Sequence, residues 1–126
     1  MTRPLIFSTF LLVLTTLSWG AVDVSGVWAG PLDLVLPDGQ KIASHLYVNL
    51  RQSGTEINGS AGPSERKQTS IRNVYFDGTR ITFEAGPETE TLIFTLALGG
   101  GHLKGQARGE NGTKAKVELT RTSARL

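Results

Sequence analysis

Two histidines and a short run of glutamates are the residues best suited to do chemistry in this chain, and their spacing makes little use of them. His45 and His102 are the only histidines, and there is no cysteine. A metal centre needs three or four convergent ligands. His45 falls at an outward position of an alternating run and His102 in a glycine turn, so neither is expected to ligate a metal. Glu84, Glu88 and Glu90 cluster near a turn. A paired-carboxylate hydrolase would need one of them turned inward with a raised pKa, and the pattern puts them on a solvated face. The chain has no Gly-x-Ser-x-Gly elbow and no His–acid pair at readable spacing. Gly99-Gly100-Gly101 lacks the Lys-Ser/Thr ending and the following helix of a phosphate loop. Asn58-Gly59-Ser60 and Asn111-Gly112-Thr113 fit the glycosylation sequon, but Asn-Gly also forms turns, and the turn reading is preferred. Arg66-Lys67 reads as solvated loop charge. The expectation is a protein that is not an enzyme and carries no metal or cofactor.

The elements that must position any site are strands. Apolar-alternating runs are cut at short intervals by Asp38-Gly39, Ser53-Gly54, Asp77-Gly78, Gly99-Gly100-Gly101 and Asn111-Gly112. Frequent reversal without a helical period is the signature of antiparallel sheet. In Gly26 to Leu36, Trp28, Gly30, Leu32, Leu34 and Leu36 share one parity. Lys41 to Gln52 turns Ile42, Ser44, Leu46, Val48 and Leu50 inward. Glu56 to Ser60 follows, then an aperiodic loop over 61–70. Ile71 to Phe76 is ambiguous, because Ile71/Tyr75 and Val74/Phe76 compete for the inner face and a bulge would reconcile them. Ile81 to Ala85, Thr91 to Leu98, Leu103 to Arg108 and Lys114 to Thr122 complete eight strands in meander order. Asp38-Gly39-Gln40-Lys41-Ile42 recurs as Asp77-Gly78-Thr79-Arg80-Ile81, the same hairpin chemistry used twice. Eight meandering strands avoid open edges by closing, so the predicted fold is an all-β, eight-stranded antiparallel up-and-down barrel. A two-sheet sandwich is the alternative.

The first twenty residues stand apart. Arg3 precedes an apolar stretch from Leu5 to Leu17, and Ser18-Trp19-Gly20 offers a cleavage site before Ala21. This is the pattern of a secretory signal peptide over 1–20, with a membrane anchor as the weaker alternative because the apolar core is short. The expected product is a single barrel domain over 21–126, periplasmic or secreted, with no stable membrane insertion after cleavage. Without cysteine it has no disulfides, so its stability rests on packing and strand pairing. Thirteen Lys and Arg against eleven Asp and Glu, interspersed along the chain, predict a solvated surface and no nucleic-acid partner.

Gly26-Val27-Trp28 opens the first strand and Arg121 lies near the end of the last. In a closed meander these strands pair, which would stack the guanidinium on the indole. This arrangement resembles the calycin superfamily of lipocalins, avidins and fatty-acid-binding proteins, which share a Gly-x-Trp on the first strand and a basic residue packed across it from the last. Ser25-Gly26-Val27-Trp28 and the segment from Leu50 and Gly54 to Ile57-x-Gly59-Ser60 look closest to avidins and small lipocalin-like bacterial barrels. The resemblance implies structural roles for Gly26, Trp28 and Arg121 and a ligand cavity inside the barrel. After Trp19, Trp28 is the only tryptophan, so the avidin ligand cage has no counterpart. The chain also lacks the lipocalin disulfide and the helix pair that lids fatty-acid-binding barrels.

Two functions follow. The first is binding of a small apolar or amphipathic molecule inside the barrel, against Leu34, Leu46, Val48, Phe83, Phe94 and Val117. Its mouth would lie opposite Trp28, between residues 37–40, 61–70, 86–89 and 109–112. The small inward residues Gly30, Ser44, Gly59, Gly105 and Ala115 are expected to leave the interior unfilled. The second is an interaction or structural barrel with a filled interior and a protein partner.

Overall fold

The computed structural model of the protein describes residues 23–87 and 90–123. The proposed signal peptide, Ala21 and Glu88 therefore lie outside the described residues. The described residues form one antiparallel sheet that curls into a nearly closed barrel. Its strands are β1 (Gly26–Val35), β2 (Lys41–Ser53), β3 (Glu56–Gly62), β4 (Thr69–Ser70), β5 (Arg72–Phe76), β6 (Arg80–Ala85), β7 (Leu92–Gly99), β8 (His102–Gly109) and β9 (Lys114–Ser123). The order in the sheet is β4-β3-β2-β1-β9-β8-β7-β6-β5. It is an up-and-down order in which the first and last long strands are neighbours.

The strand count corrects the sequence reading from eight to nine. The fourth run does not form one strand from Ile71 to Phe76. It starts two residues earlier and breaks at Ile71, giving β4 on one side of the break and β5 on the other. β4 pairs with β3 through Ser60↔Ser70 and Ala61↔Thr69, while β5 pairs with β6. The two ends of the sheet are thus consecutive in the chain, and Ile71 N–H donates to the Gly59 carbonyl at 3.0 Å. Just beyond the break, the register of β5 against β6 shifts between Arg72 and Tyr75. Asn73 sits in the shift with φ +50°. Asparagine tolerates this left-handed conformation better than most side chains. The extra residue puts Ile71, Val74 and Phe76 against the core and leaves Tyr75 64% exposed. The bulge so resolves the conflict of parity in this run.

The loop over 61–70 is also shorter than the sequence suggests, because Ala61 and Gly62 extend β3 and Thr69–Ser70 pair with it. His102 opens β8 rather than lying in the turn, and its Nδ1 is 3.2 Å from Thr120 Oγ1. Asn58-Gly59 lies inside β3 and is not a turn. Asn111-Gly112 is one: Gly109 N–H donates to the Thr113 carbonyl at 2.8 Å, and Gly112 has φ +100°.

The alternating residues meet in a single core. Trp28, Val48, Ile81, Leu96, Leu103 and Leu119 are wholly buried, and Phe83 and Phe94 nearly so. Phe83 and Phe94 stack with centroids 4.9 Å apart and planes 16° from parallel. An aromatic pair of this kind adds about 0.5–1.5 kcal/mol beyond the area it buries.

Candidate functional site

The barrel has two unlike ends. At one end, β1 begins and β9 finishes, and Trp28 pairs in register with Arg121. The Arg121 guanidinium carbon lies 4.6 Å from the centre of the Trp28 ring. The same guanidinium donates to the Asp23 carbonyl at 2.7 Å. The Trp28 indole N–H donates to the Val24 carbonyl at 2.9 Å. Val24 is wholly buried beneath the sheet. Gln52 holds this segment from the side: its amide oxygen accepts the Val24 N–H and its backbone N–H donates to Ser25 Oγ, both at 2.9 Å. Residues 23–25 therefore fold across the base of the barrel and seal it. The Asp23 carboxyl is held below its ordinary pKa, chiefly by accepting the backbone and hydroxyl of Ser25, with the Arg121 charge adding to the effect.

The opposite end is open. The hairpin after β1, residues 63–68 after β3, the turn after β6 and the hairpin after β8 all lie there. A cavity of about 340 Å³ enters the barrel between the 63–68 loop and Gly86-Pro87. Its wall is made by Leu32, Leu46, Ala61, Ala85, Leu92 and Phe94, with Ser44 among them. A second depression of about 400 Å³ adjoins it through Leu92 and includes Leu34, Leu36 and Thr113. Ligand pockets occupy about 300–1000 Å³, so either space admits a small molecule or the end of an acyl chain.

Of the six proposed ligand-binding residues, Leu46 and Phe94 line the first cavity and Leu34 the second. Val48, Phe83 and Val117 line neither. They are buried among core side chains, with Phe83 stacked on Phe94, its register partner on β7. The lower barrel is filled, so the expectation of an interior left empty by small residues needs correction. A Cβ on Gly30 would strike the Glu118 carbonyl of β9, one on Gly59 the Asn49 carbonyl of β2, and one on Gly105 the Thr95 carbonyl of β7. These glycines let neighbouring backbones come close where the sheet coils tightly, and the space a side chain would take is occupied by the next strand.

Gln68 is a mouth residue that alternation could not single out. Its amide oxygen accepts from Ser60 Oγ at 2.6 Å. Its amide nitrogen donates to the carbonyls of Ser64 at 2.8 Å and Tyr47 at 3.3 Å. One side chain thereby ties the 63–68 loop to two strands of the wall. The other chemistry-bearing residues do not converge. Among the described residues no group of three or more His, Cys, Asp or Glu side chains comes together. Glu84 accepts from Asn73 Nδ2 at 3.0 Å on the outside of the barrel.

No protein-family model matches this chain, and no curated protein matches it. The class the fold defines is an all-β, nearly closed up-and-down barrel with one sealed and one open end.

Proposed function

We propose that the protein is a non-enzymatic, calycin-like binding barrel that takes the apolar end of a small amphipathic molecule into its mouth. The observation that carries this reading is the cavity bounded by Leu32, Leu46, Ala61, Ala85, Leu92 and Phe94. An apolar wall at the open end of an otherwise packed barrel offers about 25 cal/mol per Å² of ligand surface removed from water. The depth of the filled core limits the ligand to the upper barrel, with its polar end at the rim near Lys67 and Gln68. Export through a cleaved signal at 1–20, to the periplasm or beyond, belongs to the same proposal and rests on the pattern of Arg3, Leu5 to Leu17 and Gly20 alone.

Displacement of an environment-sensitive fluorescent fatty acid tests the site. Ser44→Leu and Ala85→Leu each fill the cavity from its wall and should abolish probe binding while a cooperative melting transition is retained. If the wild-type barrel binds no apolar probe, or if neither variant weakens the binding, the filled-barrel reading replaces this one and the protein acts through a protein partner.

A further inference from the structure

A depression of about 1050 Å³ lies along the outside of the barrel among the described residues, bounded by residues of β1, β2, β6, β7, β8 and β9. It is lined by Asp33, Val35, Lys41, Lys104, Lys114 and Lys116, among others. Beside it, one rung of the sheet runs close to the open end. Strand pairing sets its members side by side: Ile93 opposes Arg108, Arg108 opposes Lys114, Lys114 opposes Val35, and Val35 opposes Lys41. The order across five strands is apolar, cation, cation, apolar, cation. All five are exposed, Ile93 at 46% and Val35 at 38%. Two of the four large hydrophobic side chains most exposed among the described residues, Ile93 and Val35, thus lie on this rung.

The charges of the rung go against the stability of an isolated barrel. Arg108 and Lys114 are like charges set directly opposite each other, a destabilising cross-strand pair. The ion pair found among the described residues, Lys104–Glu118 at 3.8 Å, lies elsewhere on the face. The rung holds no carboxylate until Glu84, beyond Ile93, and Asn73 engages that one. Asp33 lies on the next rung, Glu118 on the one after it and Glu110 in the adjoining turn, against the cations Lys41, Lys104, Arg108, Lys114 and Lys116, so the face as a whole stays net positive.

We propose that this rung docks the rim of the barrel on an anionic lipid surface. Cations interleaved with exposed aliphatic side chains fit an anionic bilayer surface, where headgroups take the charges and the boundary below takes the apolar groups. The rung carries no aromatic side chain on which bases would stack, which disfavours a single-stranded nucleic acid. A soluble polyanion would satisfy the cations but gives Ile93 and Val35 nothing to do. Docking in this pose sets the open end beside the membrane. It stands independently of what the mouth cavity holds.

Co-sedimentation with phosphatidylglycerol–phosphatidylcholine vesicles tests the proposal, with pure phosphatidylcholine vesicles and heparin as the other arms. The wild-type protein should bind the anionic vesicles and release them as salt rises. The double variant Arg108→Ser, Lys114→Ser should weaken binding about thirtyfold. Ile93→Ser with Val35→Ser should weaken it about fivefold or more without altering heparin binding. All four positions are exposed, and melting temperatures verify that the variants fold. No binding to anionic vesicles, equal binding to neutral ones, or vesicle binding indifferent to the Ile93 and Val35 substitutions would overturn the proposal, and the last would point to a soluble polyanion.

Discussion

The guanidinium of Arg121 lies 4.6 Å above the ring of Trp28, across the pairing of the first strand with the last. The two residues are far apart in the chain, and their contact exists only when β1 and β9 have paired. Arg121 also takes the Asp23 carbonyl, and Trp28 takes that of Val24. Together they hold the N-terminal segment across the base of the barrel.

Truncating either residue should therefore have unequal effects. Trp28→Ala removes a wholly buried indole and should cost about 3–5 kcal/mol. Arg121→Ala should cost about 1–2 kcal/mol, from the ring contact and the lost hydrogen bond. Chemical denaturation of both variants measures the difference. A loss for Arg121→Ala as large as that for Trp28→Ala would contradict the assignment.

Acid should loosen two places at once. The carboxyls of Asp23 and Asp77 are both held below their ordinary pKa. Asp77 is held there by accepting the backbone N–H groups of Thr79 and Arg80 at 2.9 and 2.8 Å. A lowered folded-state pKa contributes stability that is present above the unfolded value of about 3.9 and lost as pH falls through the folded value. Asp23→Asn and Asp77→Asn keep an acceptor oxygen but cannot titrate. Each should flatten the decline of the melting temperature below about pH 4, and an unchanged profile would contradict the linkage.

The close approach of strands at the coiling glycines predicts a sharp contrast between two alanine substitutions. Gly30→Ala drives a Cβ into the Glu118 carbonyl and should destabilise by about 1–3 kcal/mol. Gly99→Ala meets nothing within 4 Å at a position without positive φ. It should be neutral, or stabilising by up to about 1 kcal/mol. Thermal melts of the pair decide it.

Gln68→Ala should free the loop at the mouth without unfolding the barrel. Arg66 and Lys67 sit in that loop, and limited trypsin digestion should cut there several times faster in the variant. Equal cleavage rates would mean that the loop does not need this anchor.

Alternation in the sequence announces which side chains face inward. Leu32, Leu46, Leu96 and Val117 are all buried as their parity requires. Chain order announces the meeting of Trp28 and Arg121. Parity is silent on depth. Leu46 and Val48 are alike in pattern, yet Leu46 lines the mouth cavity and Val48 is sealed below it, and of the register partners Phe94 and Phe83 only Phe94 reaches the cavity wall. The break at Ile71 leaves no trace for a different reason: it is marked by a hydrogen bond to Gly59, which does not alter the apolar pattern. Gln68 and Gln52 act through long-range hydrogen bonds to backbone, which leave no periodic trace. The inward glycines mislead because a missing side chain looks the same in sequence whether the room it leaves is empty or filled by backbone.

The wall of the barrel is not equally strong all the way round. β1 and β2 are joined over ten register pairs, whereas β3 and β4 are joined over two. Local opening follows the fewest bonds. The hoop of strands will part first where the two ends of the sheet meet, along the two-pair join of β3 with β4 and the Ile71–Gly59 hydrogen bond, far from the clamp of Trp28 and Arg121. Such a parting widens the entrance and leaves the base shut. The molecule is hinged like a purse: one side gives, and the fastening that keeps the fold together is on the other.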